Sequence, residues 1–156
     1  MLAKRGSLRL RLVADLDSPS PLERDELERV RAAVRKLDLE RCIEFAGRKE
    51  GDALAEEYSR HAIHVLPSIG DCYSFVTMEA LACGMTCVNL DSPHYEWQRR
   101  SDGGVPLVHL CPSLPEVGRT ILSLLESGEF PDHRSYMVRH LSWTVHRDEY
   151  RDFFLR

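Results

Sequence analysis

One pattern constrains the fold of this chain more than any other: short apolar runs of strand length alternate with segments whose apolar residues recur at helical spacing. Leu8, Leu10, Leu12 and Val13 read as a first strand, closed by the polar, proline-containing turn from Asp15 to Pro21. In the helix that follows, Ser20 suits the N-cap, Pro21 the first helical position and Glu23 a capping box, with Leu27, Val30, Val34 and Leu37 on one face. The pattern then recurs: Cys42 to Ala46 as strand, Asp52 to Arg60 as helix, Ile63 to Leu66 as strand, and Phe75 to Cys83 as a helix ended by Gly84. Thr86 to Leu90 and Val105 to Leu110 supply two further strands, with a short helix expected around His94 to Arg99 between them. Ser113 and Glu116 match the cap of a helix carrying Val117, Ile121, Leu124 and Leu125, which should end near Gly128. Strands separated by helices pair in parallel, so the expectation is an α/β fold with a mainly parallel sheet and flanking helices.

Composition narrows the functions such a fold can serve. The 156 residues suit one domain, and 43% of them are hydrophobic, enough for a substantial core. A formal charge of −4 lays down no broad basic footprint, so nucleic acid is not an expected partner. The basic start, MLAKRGSLRLRLVAD, has no uninterrupted apolar run, and no later segment approaches the length needed to span a membrane. The five cysteines are odd in number, and several lie in apolar runs where a thiol packs as a small hydrophobe. We read them as reduced and the chain as cytoplasmic. Cys72, Cys83 and Cys87 read as core rather than as metal ligands, and the pairs His61/His64 and His140/His146 lack the partners of a zinc or catalytic set, so no metal and no cofactor are expected.

The chemistry concentrates between Asp71 and Gly84, in the run DCYSFVTMEALACG. Ligands of an open parallel sheet bind beyond the carboxyl ends of its strands, and the turn Pro67 to Ser74 emerges there, after Ile63 to Leu66. The next helix offers unpaired amides and a partial positive charge of about half a unit, suited to a diphosphate. Ser74 stands where it can cap that helix or touch an anion. Asp71 precedes the helix and Glu79 lies about one turn inside it, so the two carboxylates can address different parts of one elongated ligand. A carboxylate accepts two hydrogen bonds from vicinal hydroxyls but repels phosphate, so Glu79 suits a ribose. The plainer alternatives are a turn or helix-capping carboxylate for Asp71 and a solvated helix carboxylate for Glu79. Arg48, after Gly47 in the turn beyond a strand, reads equally as a nucleotide contact or as an exposed charge.

This run resembles the segment Glu-Gly-Phe-Gly-x-x-x-x-Glu-Ala-x-x-Cys-Gly of glycosyltransferase family 4, the retaining transferases of the GT-B architecture; Asp71, Tyr73, Glu79, Ala80, Cys83 and Gly84 fall in register. The likeness extends upstream through Ile43, Phe45 and Gly47 and through His61 to Ser68. Downstream it takes in Asp91 to Glu96, Asp102 to Val108, and Ser142-Trp143 with Tyr150 and Phe153. The resemblance implies a Rossmann-like sheet forming an incomplete C-terminal lobe of a GT-B fold. It implies that Glu79 binds the ribose hydroxyls and that Asp71 faces the donor sugar and diphosphate as the catalytic carboxylate. The amides of Ser74, Phe75 and Val76 would orient the sugar, and Gly47 and Arg48 would border the base. The implied reaction is transfer of a hexose from a nucleotide-diphosphate sugar, as donor substrate, with retention and without a bound metal.

Departures from the family segment shape what we expect of activity. Asp71 stands where the family has Glu, shortening the arm by ~1.5 Å, and a misplacement of that order lowers catalysis about 100-fold. Cys72 and Ser74 stand where the family has glycine, which restricts the backbone beside the donor. The family's N-terminal acceptor domain, and the strand and helix bearing its Arg and Lys for the diphosphate, have no counterpart in the chain. We therefore expect a single nucleotide-sugar-binding domain over residues 1–156, truncated on its N-terminal side and inactive alone. Residues 129–156 are expected to form a helical tail, rich in Trp143, Val145, Tyr150, Phe153 and Phe154, that crosses to the absent domain. A partner subunit, the missing acceptor domain or self-association would cover the exposed apolar surface. A non-catalytic binding or assembly module is the alternative, and a nucleotide-sugar epimerase fits the Cys-Gly and Ser-Trp segments less well.

Overall fold

Leu10–Leu12 forms the first strand, β1, and pairs in parallel with β2, Ile43–Phe45, in the register Leu10 to Ile43 and Leu12 to Phe45. The computed structural model describes residues 8–16, 20–69, 74–93, 96–142, 144, 145 and 147, with the side chains of residues 21–23 also outside that set, so the expected capping role of Glu23 falls outside it. Between the two strands runs α1, Pro21–Lys36, begun by proline at its first position as the sequence predicts. Arg29–Glu26 and Arg31–Glu28 pair along its exposed surface. Arg31 also lies 5.5 Å from the Phe45 ring centroid, a cation–π contact joining α1 to β2. Arg11 and Glu44, neighbours across the strands, form an ion pair at 3.1 Å.

The chain divides into two compact units, residues 1–53 and 54–156, with the boundary inside α2, Gly51–Ser59. In the second unit, β3 (Ile63–Leu66), β4 (Thr86–Leu90) and β7 (Val108–Cys111) form a parallel sheet with β4 in the centre. The period-two alternation of β4 sends its residues to two cores. Cys87 joins Ala80, Leu81, Met85, Trp97, Leu107 and Met137, drawn partly from α3 (Phe75–Ala82) and α5 (Arg134–His140). Val88 joins Cys111, Val117 and Leu124, the last two from α4 (Leu114–Ser127). Helices thus cover both faces, as a parallel sheet requires. Gly128 ends α4 with φ +70°, as its place in the sequence predicts.

Three local expectations change. The strand expected over Val105 to Leu110 is two elements: β6 (Val105–Pro106) folds back antiparallel on β5 (Ser101–Asp102), and β7 begins only at Val108. Pro106 has no amide to give a central ladder, and Gly103 and Gly104, at φ +59° and +87°, supply the tight turn. Leu107 resumes the path by donating its amide to Arg100 O at 2.9 Å. The short helix near His94 to Arg99 is a single 3-10 turn at Trp97–Arg99; His94 and Tyr95 lie outside the described residues. Ser113 takes the N-cap position but makes no side-chain cap bond, and Glu116, the expected partner of its capping box, pairs with Arg119, Nε donating at 3.1 Å.

Helix α5 packs on α3 through one tight approach. Gly84, at φ +87°, closes α3, and the Arg134 guanidinium lies where a side chain there would start, donating to Cys83 O at 3.1 Å. A cation at that end also meets the negative pole of α3. Gly84→Ala should therefore cost about 1–2 kcal/mol in backbone strain alone, and more as Arg134 is pushed off; urea unfolding of the two proteins measures it.

Burial in β3 holds the His64 imidazole neutral, with its pKa lowered to about 4 from 6.5. The unfolded chain binds this proton more readily than the native one, so the contribution is intact above pH 6.5 and is lost as pH falls toward 4. His109, lowered by burial and by the charge of His133, acts in the same direction. Unfolding free energy should drop by about 2 kcal/mol more in the natural chain than in His64→Phe between about pH 7.5 and 5. Equal pH slopes in urea titrations of the two would contradict this.

Candidate functional site

Pro67 to Ile69 leave the carboxyl end of β3, and α3 begins after Ser74, so the expected site residues from Ser74 onward follow the strand end where ligands of parallel sheets bind. Asp71, Cys72 and Tyr73 lie outside the described residues. From Ser74 onward the geometry is defined. Ser74 has φ +54° and ψ +59°, the left-handed conformation that glycine adopts without cost and serine rarely takes. It is wholly buried, and it makes no capping bond to the helix; its Oγ lies 2.6 Å from Thr77 Oγ1.

That contact begins a buried chain of polar side chains. Asn89 Nδ2 donates to Thr77 Oγ1 at 3.0 Å and to Gln98 Oε1 at 2.8 Å, and Ser74, Thr77, Asn89 and Gln98 are each 0% exposed. Asn89 stands on the same face of β4 as Cys87, toward α3, so the centre of the sheet is hydrogen-bonded to the first turn of that helix. Ser92, also buried, donates to Ile69 O at 3.2 Å and so ties the loop after β4 to the turn after β3. These bonds link β4, the start of α3 and the segments after β3 and β4, although Asn89 Oδ1 and Gln98 Nε2 stay buried without partners among the described residues.

On the outward side of α3, Phe75 and Val76 are 67% and 38% exposed, an apolar first turn at the positive pole of the helix. Glu79 is exposed on the same helix and accepts a hydrogen bond at 3.3 Å from Tyr58 of α2. Burial, and then the charge and hydrogen bond of Glu79, raise the Tyr58 phenol well above its ordinary pKa, so it remains a donor. Its ring is braced edge-on by His64, with centroids 6.0 Å apart.

Gly47 and Arg48 belong to the first unit, whereas Ser74, Phe75, Val76 and Glu79 share the second. Gly47 has φ +72°, so its turn needs a residue that tolerates the left-handed region. Arg48 is exposed and already engaged, with Nε 2.8 Å from Glu50 Oε1 and Nη1 3.7 Å from Asp15. An anion reaching this guanidinium competes with two carboxylates. Among the described residues no three His, Cys, Asp or Glu side chains converge as a metal set would, and no helix is long and apolar enough to cross a membrane.

Reading from sequence did not find Tyr58, Thr77, Asn89 or Gln98. Thr77 and Asn89 carried a signal, since each is a polar residue inside an otherwise apolar run, and burial of such a residue implies a partner. Tyr58 carried none, because its partner is 21 positions away.

These features define a Rossmann-like α/β lobe whose candidate site residues Ser74, Phe75, Val76 and Glu79 follow the carboxyl end of a parallel strand. Residues 1–127 match the family described as Glycosyl transferases group 1, and the chain belongs to that family. Among solved structures it is similar to a sucrose-phosphate synthase from Thermosynechococcus elongatus, with a TM-score of 0.78 and 19% identity over 99% of this chain and 40% of that one. At this identity the likeness is one of fold, that of a GT-B lobe, and the chain spans 40% of the synthase's length. No curated protein sequence matches it.

Ser74 allows a test of how the turn is held. Ser74→Gly relieves the left-handed strain as it removes the Thr77 contact, whereas Ser74→Ala keeps the strain and loses the contact. The glycine variant should therefore be the more stable by about 1–2 kcal/mol, measured by urea unfolding. Equal stability of the two would show that the backbone at this position is not strained.

Proposed function

We propose that this chain is the nucleotide-sugar-binding part of a glycosyltransferase that transfers a hexose with retention, binding donor by itself and turning over only with an acceptor domain. The observation that carries the reading is Glu79, an exposed carboxylate on the helix that begins at the ligand end of the sheet, in register with the family's second glutamate. In this reading Glu79 accepts hydrogen bonds from the two ribose hydroxyls. The diphosphate sits at the start of α3, beside Ser74, Phe75 and Val76, where the helix dipole favours negative charge. The exposed rings and methyls of Phe75 and Val76 flank the sugar. Asp71 would face the transferring sugar, and Gly47 with Arg48 would border the base. The tail over residues 129–156 would meet the acceptor domain, a partner subunit or a second copy.

Asp71, where the family has glutamate, favours a second reading, a binding or assembly module that retained the lobe without the reaction. The two readings share the nucleotide site and part at the sugar.

Titration of the full chain with uridine, guanosine and adenosine diphosphates tests the shared part. At least one should bind, and Glu79→Ala should weaken it about 10- to 100-fold, the effect of removing hydrogen bonds to a charged group. Failure of all three to bind, or unchanged affinity in Glu79→Ala, sinks the donor-site reading.

A further inference from the structure

Of the polar groups near the site, Tyr58 is one that the reading above leaves without a task. It sits on α2, a different element from the helix that bears Glu79, and its hydroxyl reaches Glu79 Oε2 at 3.3 Å. Its ring is fixed from two sides, edge-on by His64 of β3 and by packing against the core that contains Ala80 and Leu81. Glu79 itself is exposed on α3, and a free glutamate on a helix surface has three rotatable bonds to order before it can hold a ligand.

We propose that Tyr58 is a positioning residue for ribose recognition: it anchors one carboxylate oxygen of Glu79 so that the remaining lone pairs face the vicinal hydroxyls of a nucleotide. The inference rests on the reading of Glu79 as the ribose acceptor and adds to it the residue that orients the acceptor. A carboxylate has about four acceptor sites, so one bond from Tyr58 leaves enough for a diol. Donation by the phenol to Oε2 also selects one rotamer of Glu79 before the ligand arrives, which removes part of the ordering cost from binding. A phenol with a raised pKa stays protonated, so it donates to the carboxylate across the physiological range and cannot repel it. His64, neutral under the same conditions, braces the ring without competing for the Glu79 charge.

The test compares ribonucleoside diphosphates of uridine, guanosine and adenosine with their 2′,3′-dideoxy counterparts, using calorimetry on the full chain, Tyr58→Phe and Glu79→Gln. The natural chain should prefer the ribose form. Tyr58→Phe should lose about threefold to tenfold in affinity for the ribose form, with unchanged affinity for the dideoxy form and unchanged unfolding midpoint. In a Glu79→Gln background the same Tyr58→Phe change should have a smaller effect. A merely structural tyrosine would weaken both ligands alike, and that result overturns the proposal, as does a Tyr58→Phe variant that binds both as the natural chain does. Should the natural chain bind both forms equally, or neither, the ribose assignment of Glu79 itself falls and carries this inference with it. A preference for ribose that is undiminished in Tyr58→Phe removes the positioning role and leaves the Glu79 assignment standing.

Discussion

The hydrogen bonds from Asn89 to Thr77 and Gln98 fix the relation between the sheet and the turn that precedes α3. Asn89 lies on the central strand of the sheet, where its Nδ2 meets two buried acceptors while its Oδ1, like Gln98 Nε2, is buried without a partner among the described residues. One of its partners is in the first turn of α3 and the other is in the 3-10 turn after β4. The apolar contacts around it, Leu81, Met85, Cys87 and Trp97, supply burial without direction. The polar contacts supply direction. Because Thr77 meets both Asn89 and Ser74, the backbone angle at Ser74 is coupled to the centre of the sheet. The first turn of α3 is therefore tied to the core through side-chain hydrogen bonds as well as through apolar packing.

Much of the fold was legible because periodicity reports which face of an element is buried. The helices from Pro21, Gly51, Phe75 and Leu114 and the strands around Leu10, Ile43, Ile63 and Thr86 all follow apolar spacing that the sequence displays openly. The sequence was misleading where an apolar run contained a residue with a special backbone demand. Val105 to Leu110 looks continuous in hydrophobicity, yet Pro106 and the paired glycines before it turn its first half into a hairpin. The Glu116 half of the capping box expected at Ser113 failed for a different reason: Arg119, one turn along the helix from Glu116, competes for its carboxylate and holds it below the usual pKa range. Local motifs predict local bonds only when no better partner is in reach.

The site was legible in a more limited sense. The family register led to Ser74, Phe75, Val76 and Glu79, which share one helix and its cap, so their proximity follows from the element itself. What organises them comes from elsewhere in the chain. Asn89 is 12 positions from Thr77, and Tyr58 is 21 positions from Glu79; no helical or strand period connects such pairs. A single sequence names the residues that touch a ligand more readily than those that hold them, because the first lie in contiguous motifs and the second are assembled by packing. Arg48 shows the converse: its position suggested an anion contact, yet Glu50 and Asp15 lie within reach of its guanidinium.

Ser74 bears on how much the departures from the family segment mean. Read as a sequence, serine in place of glycine suggests a changed backbone, because a side chain disfavours positive φ by about 1–2 kcal/mol. The structure keeps φ at +54° and places the added hydroxyl against Thr77, a hydrogen bond that offsets roughly 0.5–1.5 kcal/mol of that strain. The two magnitudes are comparable, so the left-handed turn survives the substitution with a small deficit, and the added atoms point into the core instead of toward the ligand. The loss of glycine at this position therefore gives no reason to expect a narrower sugar pocket. The case for a lobe that binds donor without transferring it then rests on Asp71. Shortening a carboxylate arm alters the distance to a reacting centre while leaving hydrogen bonding to the rest of a nucleotide intact, which separates turnover from binding.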